Sequence, residues 1–131
     1  MIVADTDVLI DFLRGREPAA GRIELELKGR LLATTTVNAF ELWAGAKGKR
    51  QQGAVDALLA AMTILPLDDD AARAGSEARR ALLASGQDIG MADCLIAGIC
   101  LANGAMLLTN NKRHFERVPR LRLSMGAVDD D

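Results

Sequence analysis

The sequence predicts an α/β/α sandwich with a mostly parallel central sheet. Short apolar, β-branched runs alternate with longer amphipathic stretches, the pattern of parallel strands joined by right-handed helical crossovers. Half of the residues (50%) are hydrophobic while only 3% are aromatic and tyrosine is absent, so the core is built from Ala, Leu, Ile and Val, as suits helices packed on a parallel sheet. At 131 residues the chain is long enough for one compact domain and too short for two, so a single domain over residues 1–131 is expected.

Ile2 to Ala4 reads as a short buried strand, and Val8-Leu9-Ile10-Asp11-Phe12-Leu13 has helical spacing up to a break at Gly15 and Pro18. A second helix is predicted over Ala19 to Lys28, closed by Gly29, and a second strand over Leu31 to Thr34. Thr35, Thr36 and Asn38 each qualify as N-cap of the helix that carries Glu41 and Trp43, and Gly45 and Gly48 weaken its far end. Ala54 to Met62 is the next amphipathic helix. Ile64-Leu65-Pro66-Leu67 follows as a short strand that its proline confines to an edge or to the strand's end. Asp68-Asp69-Asp70 crowds negative charge where a helix N-terminus favours it, and that helix runs to about Ser85 with Gly86 as its C′ residue. Asp88 is the expected N-cap of a nearly all-apolar helix that runs through Asp93 to Asn103 and ends at Gly104. Met106 to Thr109 is an apolar strand leading into Asn110 and Asn111, and a final strand is placed around Leu121 to Ser124.

No run of about 18 uncharged apolar residues occurs, and Met1 begins a strand-like run with no basic region before it, so the expected location is the cytoplasm, with no membrane segment. Cys94 and Cys100 share one predicted helix, where six residues separate them by about 9 Å, too far for a disulfide. Buried thiols agree with a reducing compartment. A net charge of −2 would ordinarily argue against nucleic-acid binding. Acids gathered in a cleft and in Asp129-Asp130-Asp131 leave room for a basic rim made from Arg14, Arg16, Lys47, Lys49, Arg50, Lys112 and Arg113.

Three carboxylates stand in mostly apolar surroundings: Asp5 at the end of the first strand, Glu41 about one turn into its helix, and Asp93 early in its own. Such positions converge at the carboxyl edge of a parallel sheet, where ligands bind. Lone carboxylates there are costly unless paired, protonated or bound to a cation. With no lysine or histidine nearby in sequence, a hard divalent cation is the natural partner, and all-oxygen ligation favours Mg²⁺ or Mn²⁺. Each acid also has a plainer reading. Asp5 can cap the helix after it, Glu41 can complete a capping box with Asn38, and only Asp93, beyond the first turn if Asp88 is the cap, resists one. His114, the single histidine, is a weak candidate beside Phe115, and Trp43 is assigned to core or interface.

The chain resembles the PIN-domain ribonucleases, specifically the VapC-type toxins of toxin–antitoxin pairs. The matching segments are Ile2 to Ile10, Asn38 to Gly45, Ile89 to Ala97 and Leu107 to Phe115, in the family's order and spacing. The resemblance implies that Asp5, Glu41 and Asp93 are an acidic triad binding Mg²⁺, with Mn²⁺ as a substitute, and that Thr6 orients Asp5 or a water. Asn111 stands where many relatives carry a fourth acid, and His114 where they often carry an aspartate. The implied reaction is water attack on an RNA phosphodiester, leaving a 5′-phosphate and a 3′-hydroxyl, in transfer or ribosomal RNA. The implied partners are a VapB-type antitoxin and a second copy of the chain, with Leu9, Phe12, Leu13 and Ile23 as candidates for the antitoxin groove.

Two other functions compete. A phosphatase of the haloacid-dehalogenase type would use Asp5 as nucleophile and Asp7 as general acid, but leaves Glu41 without a role. A non-catalytic PIN-like module that only binds a protein partner is the other, and retention of all three acids argues against it.

Overall fold

The computed structural model describes residues 1–124, so the terminal acids Asp129, Asp130 and Asp131, part of the charge reading above, lie outside the described residues. Among the described residues five strands form one sheet: β1 (Ile2–Ala4), β2 (Leu32–Thr35), β3 (Thr63–Leu65), β4 (Met106–Leu108) and β5 (Leu123–Ser124). Their order is β3-β2-β1-β4-β5 and every pairing is parallel, with Val3 beside Ala33 on one side and Leu107 on the other. β3 lies at an edge, where Pro66, immediately after it, removes no ladder hydrogen bond.

Side chains alternate across the sheet and separate two apolar layers. Ala4, Leu32 and Leu108 face α1 (Thr6–Leu13), α2 (Ala19–Lys28), α3 (Thr36–Gly45) and α4 (Gly48–Ala60), which supply Leu9, Ile23, Leu42 and Leu58. Val3, Ala33 and Leu107 face α5 (Asp69–Ala84) and α6 (Met91–Ala102), which supply Leu82, Ile96 and Ile99. The short helix α7 (Lys112–Phe115) closes this second layer with fully buried Phe115. α5 and α6 touch backbone to backbone, because a Cβ on Gly98 would collide with the main chain of Ala71 and Gly75.

Several boundaries differ from the sequence expectation for identifiable reasons. α4 begins at Gly48 rather than Ala54, because the Gln51 side chain accepts the Lys47 N–H at 2.8 Å and ties down the first turn. Asp88 does not cap α6. Its carboxylate accepts the Gly90 N–H at 3.1 Å and pairs with Arg79 at 3.5 Å, while Gly90, at φ +94°, is the N-cap. Asp93 therefore stands in the first turn of α6, where the helix dipole favours a carboxylate. Thr35 is the cap of α3, its hydroxyl accepting the Asn38 N–H at 3.1 Å. Asp68 caps α5 as the acidic triplet predicted. Trp43 is not core: it is half-exposed and donates its indole N–H to Asp56 at 3.0 Å.

Candidate active site

The strand order reverses direction of growth at β1, with β2 on one side and β4 on the other. Asp5 leaves the end of β1 and Thr109 the end of β4, so both flank the crevice where open parallel sheets bind ligands. Asp5 is a cap as well as a candidate site residue. Its Oδ1 accepts the Thr6 N–H at 2.9 Å as N-cap of α1 and also a bond from Asn38 Nδ2 at 2.9 Å, while Oδ2 accepts from Thr109 Oγ1 at 2.7 Å.

Asn38 is the hub of the network. Fully buried one turn into α3, it receives the Thr35 hydroxyl on Oδ1 at 2.6 Å and donates from Nδ2 to Asp5 and, at 2.9 Å, to Thr6 Oγ1. With its acceptor site filled by Asn38, the Thr6 hydroxyl donates to Glu41 Oε1 at 2.6 Å. Asp5 and Glu41 are thus tied together through Thr6 and Asn38, and Glu41 forms no capping box. On the other flank His114 Nδ1 lies 3.1 Å from Asp93 Oδ2. Asn111 caps α7 without a side-chain bond and donates its N–H to Thr109 Oγ1 at 2.9 Å.

Charge is poorly compensated here. Burial, with the nearby charges of Asp7 and Asp93, outweighs the hydrogen bonds from Thr109 and the Thr6 N–H and raises the Asp5 carboxyl from its ordinary 3.8 to about 6. Burial also raises Asp7, whose Oδ1 accepts from Val8 N at 2.7 Å and whose Oδ2 accepts from Asn110 N at 3.0 Å. With both oxygens spent on the backbone, Asp7 ties the loop after β4 to α1 and is not placed as a general acid. Among the described residues, Asp5, Glu41 and Asp93 make no ion pair with lysine or arginine. Nor, among them, do three His, Cys, Asp or Glu side chains already stand at metal-ligating spacing, so the acids are linked through their neighbours rather than closed into a cage.

The raised Asp5 makes a stability prediction. A carboxyl that titrates near 6 folded and 3.8 unfolded holds its proton more tightly in the folded state, so in chelator the contribution of Asp5 to stability is fully present below 3.8 and is lost as pH rises through about 6. The loss attributable to Asp5 is about 3 kcal/mol. Urea melts of wild type and Asp5→Asn across that window check it: the variant should show a flatter profile, and parallel profiles would refute the assignment.

The structure ties sequence-nominated Asp5, Thr6 and Glu41 into one hydrogen-bond network and sets Asp93 beside His114, and it adds to that network Asn38 and Thr109, which the sequence did not nominate for the site. The available signal was a pair of uncharged polar residues at the ends of apolar runs, Thr35 with Asn38 three residues on, and Thr109 after Leu107 and Leu108. Of the candidates for the antitoxin groove, Leu9 and Ile23 are fully buried, the core fate the sequence favours for such residues, while Phe12 and Leu13 keep partial exposure. Cys94 and Cys100 are free and buried, as predicted. Among the described residues no helix is long and apolar enough to cross a membrane.

Residues 2–121 match the PIN domain family. Ribonuclease VapC19 of Mycobacterium tuberculosis is 36% identical over 124 residues, covering 93% of this chain and 98% of the relative. The tRNA(fMet)-specific endonuclease VapC of Shigella flexneri is 30% identical over 122 residues, covering 90% and 92%. Among solved structures, VapBC2 from Rickettsia felis, bound to a DNA fragment from its promoter, superposes with a TM-score of 0.84 at 28% identity, covering 95% of this chain and 98% of that one.

Proposed function

The chain belongs to the PIN-domain family, and from that premise we propose that Asp5, Glu41 and Asp93 hold a divalent cation, Mg²⁺ with Mn²⁺ as substitute, beside which an RNA phosphodiester is hydrolysed. It is a VapC-type ribonuclease, the toxin of a toxin–antitoxin pair, and PIN-domain nucleases of this type depend on a divalent metal. The observation that carries the site assignment is Asp5: a buried carboxylate flanked by two further acids and supplied with hydrogen bonds but with no cationic side chain. The donor set is all oxygen apart from His114, which fits a hard cation. Mg²⁺ usually keeps several of its waters and takes only one or two carboxylates directly, which suits acids joined through neighbours rather than fully converged.

When bound, such a cation lowers the pKa of the attacking water and offsets charge on the scissile phosphate. The chain's own residues supply the geometry. Thr6 N, Asn38 and Thr109 fix the Asp5 carboxylate from three directions, the Thr6 hydroxyl fixes Glu41, and His114 steadies Asp93. The acids are therefore positioned before substrate arrives, which is how a site avoids reorganisation during reaction. Asn111, at the mouth beside Thr109, is assigned to substrate positioning; a neutral amide adds no charge to a cluster already rich in it. Incubating the antitoxin-free protein with total RNA should give cleavage with Mg²⁺ or Mn²⁺, none in chelator, and products with 5′-phosphate ends. Undiminished cleavage in chelator, or 5′-hydroxyl ends, would overturn the reading.

The substrate is placed among structured RNAs with exposed loops, transfer or ribosomal RNA, whose unpaired bases a cleft can reach. A VapB-type antitoxin is the partner, covering the acids to silence them, and the cytoplasm is the location in which RNA, reduced thiols and antitoxin coexist. A homodimer is also part of this proposal. Phe40 (68% exposed) and Met91 (64%) form, with Val37 and Leu95, an apolar face between α3 and α6 that reaches Glu41. Phe40→Glu with Met91→Glu should convert the toxin to a monomer by sedimentation; an unchanged mass would place the contact elsewhere.

A further inference from the structure

We propose that the groove between α1, α3 and α4 is the track of the single-stranded RNA as it leaves the acid cluster, with Arg14 and Arg50 binding its phosphates. This deepens the ribonuclease reading and rests on it. The groove encloses about 480 Å³ and is lined by Ile10 and Leu13 of α1, Leu42 of α3 and Val55 of α4, with Arg14 and Arg50 on its rim. Glu41 is among its lining residues, so the groove reaches the proposed reaction site.

Its charge points to a polyanion. Arg14 and Arg50 are exposed and in no ion pair among the described residues, a state they share with Arg30, Arg80, Arg113, Arg117 and Arg120; what sets them apart is that both line one groove together with Glu41. Arg14 stands at the C-cap of α1, where the helix dipole holds a cation in place, and both guanidiniums keep their donors free for a ligand that runs along the groove toward Glu41. Helix energetics make the same point about Arg50. It stands with Lys49 in the first turn of α4, next to Lys47 and with no acid in that turn, where the macrodipole disfavours cations. Nothing within the helix compensates for this arrangement, whereas a phosphate would.

The shape suits a nucleic acid strand. Guanidiniums take phosphate oxygens through paired N–H donors, and the apolar floor accepts the faces of unstacked bases or sugars. The floor stays open because Gly45 and Ala46 carry almost no side chain, and a Cβ on Gly45 would meet only empty space.

The test measures binding apart from cleavage. With wild-type protein in chelator, a labelled single-stranded RNA is titrated by fluorescence anisotropy over a range of salt, and the titration is repeated for Arg14→Ala, Arg50→Ala, the double variant and Gly45→Leu. Arg80→Ala, on α5 in the opposite layer, is the control. The double variant should bind about tenfold more weakly, and each arginine lost should flatten the slope of log affinity against log salt by about 0.7. Gly45→Leu, which fills the groove without changing charge, should weaken binding with the slope retained, and Arg80→Ala should match wild type. With Mg²⁺ present the arginine variants should raise KM more than they lower kcat. Wild-type affinity and slope in the arginine variants would overturn the proposal. So would variants that bind and cut RNA normally while losing their hold on the antitoxin, which would make the groove a protein-docking site. If wild type cuts no RNA at all, the ribonuclease reading fails, while the anisotropy comparison still decides the groove.

Discussion

Asp93→Ala should lower RNA cleavage by about a thousandfold or more while leaving the protein folded, and Asp5→Ala should do the same by a different structural route. The magnitude follows if, as proposed, each acid is a ligand to a cation that contributes several kcal/mol of transition-state charge stabilisation. Asp93 is partly exposed in the first turn of α6, and among the described residues its side-chain hydrogen-bond partner is His114. Its loss forfeits a favourable dipole interaction of only about 0.3–1 kcal/mol, so lost activity cannot be ascribed to unfolding. Asp5 is less simple. Truncation removes the N-cap of α1 and deprives Asn38 and Thr109 of an acceptor, each change destabilising. It also removes a carboxylate whose ionisation is opposed by burial and by Asp7. These effects oppose each other, and the folded protein should persist, melting within a few degrees of wild type in chelator. Single-turnover cleavage with saturating Mg²⁺, alongside thermal melts, checks both variants; a normal rate in either would remove that residue from the site.

The parts of this protein legible in sequence are those whose cause is local. Alternation of apolar and β-branched runs located all five strands to within a residue or two, because burial on both faces of a parallel sheet leaves no other composition for them. Asp68 and Gly86 were readable as helix ends because capping and left-handed termination involve neighbours in sequence. Asp88 misled for the same reason: a good cap residue near a helix start was expected to cap, but Arg79 of α5, brought alongside by the Gly75–Gly98 contact, claims its carboxylate. The three candidate acids could be singled out because carboxylates in apolar runs are conspicuous. Asn38 and Thr109 could not, because their partners lie 33 and 104 residues away and only the strand order puts them beside Asp5. Arg14 and Arg50 were visible as basic residues, yet nothing in sequence marked them as the pair on one groove.

Asn38 should be the position at which stability and activity fail together. Its side chain is fully buried, accepts one hydroxyl and donates to both a carboxylate and Thr6, so no rotation of the amide can preserve the network. Asn38→Ala leaves Thr35 Oγ1 and Asp5 Oδ1 short of partners and opens a cavity, and is expected to cost about 2–4 kcal/mol. Asn38→Asp is the more informative change because it keeps the shape. It replaces the two donated hydrogen bonds with an oxygen facing Asp5 Oδ1 across the 2.9 Å that the amide now bridges, adding a buried like charge. At neutral pH it should be less stable than Asn38→Ala. Protonation of the new carboxyl restores a donor and removes the repulsion, so its deficit should shrink steeply as pH falls, whereas the deficit of Asn38→Ala should shrink only by what its donor contributes to the ionised Asp5. Denaturant melts of both variants at neutral and mildly acidic pH distinguish these cases. An Asn38→Asp protein as stable as wild type at neutral pH would mean that the amide is not the donor that holds Asp5, and the preorganisation of the acidic site would have to come from Thr109 and the α1 N-terminus alone.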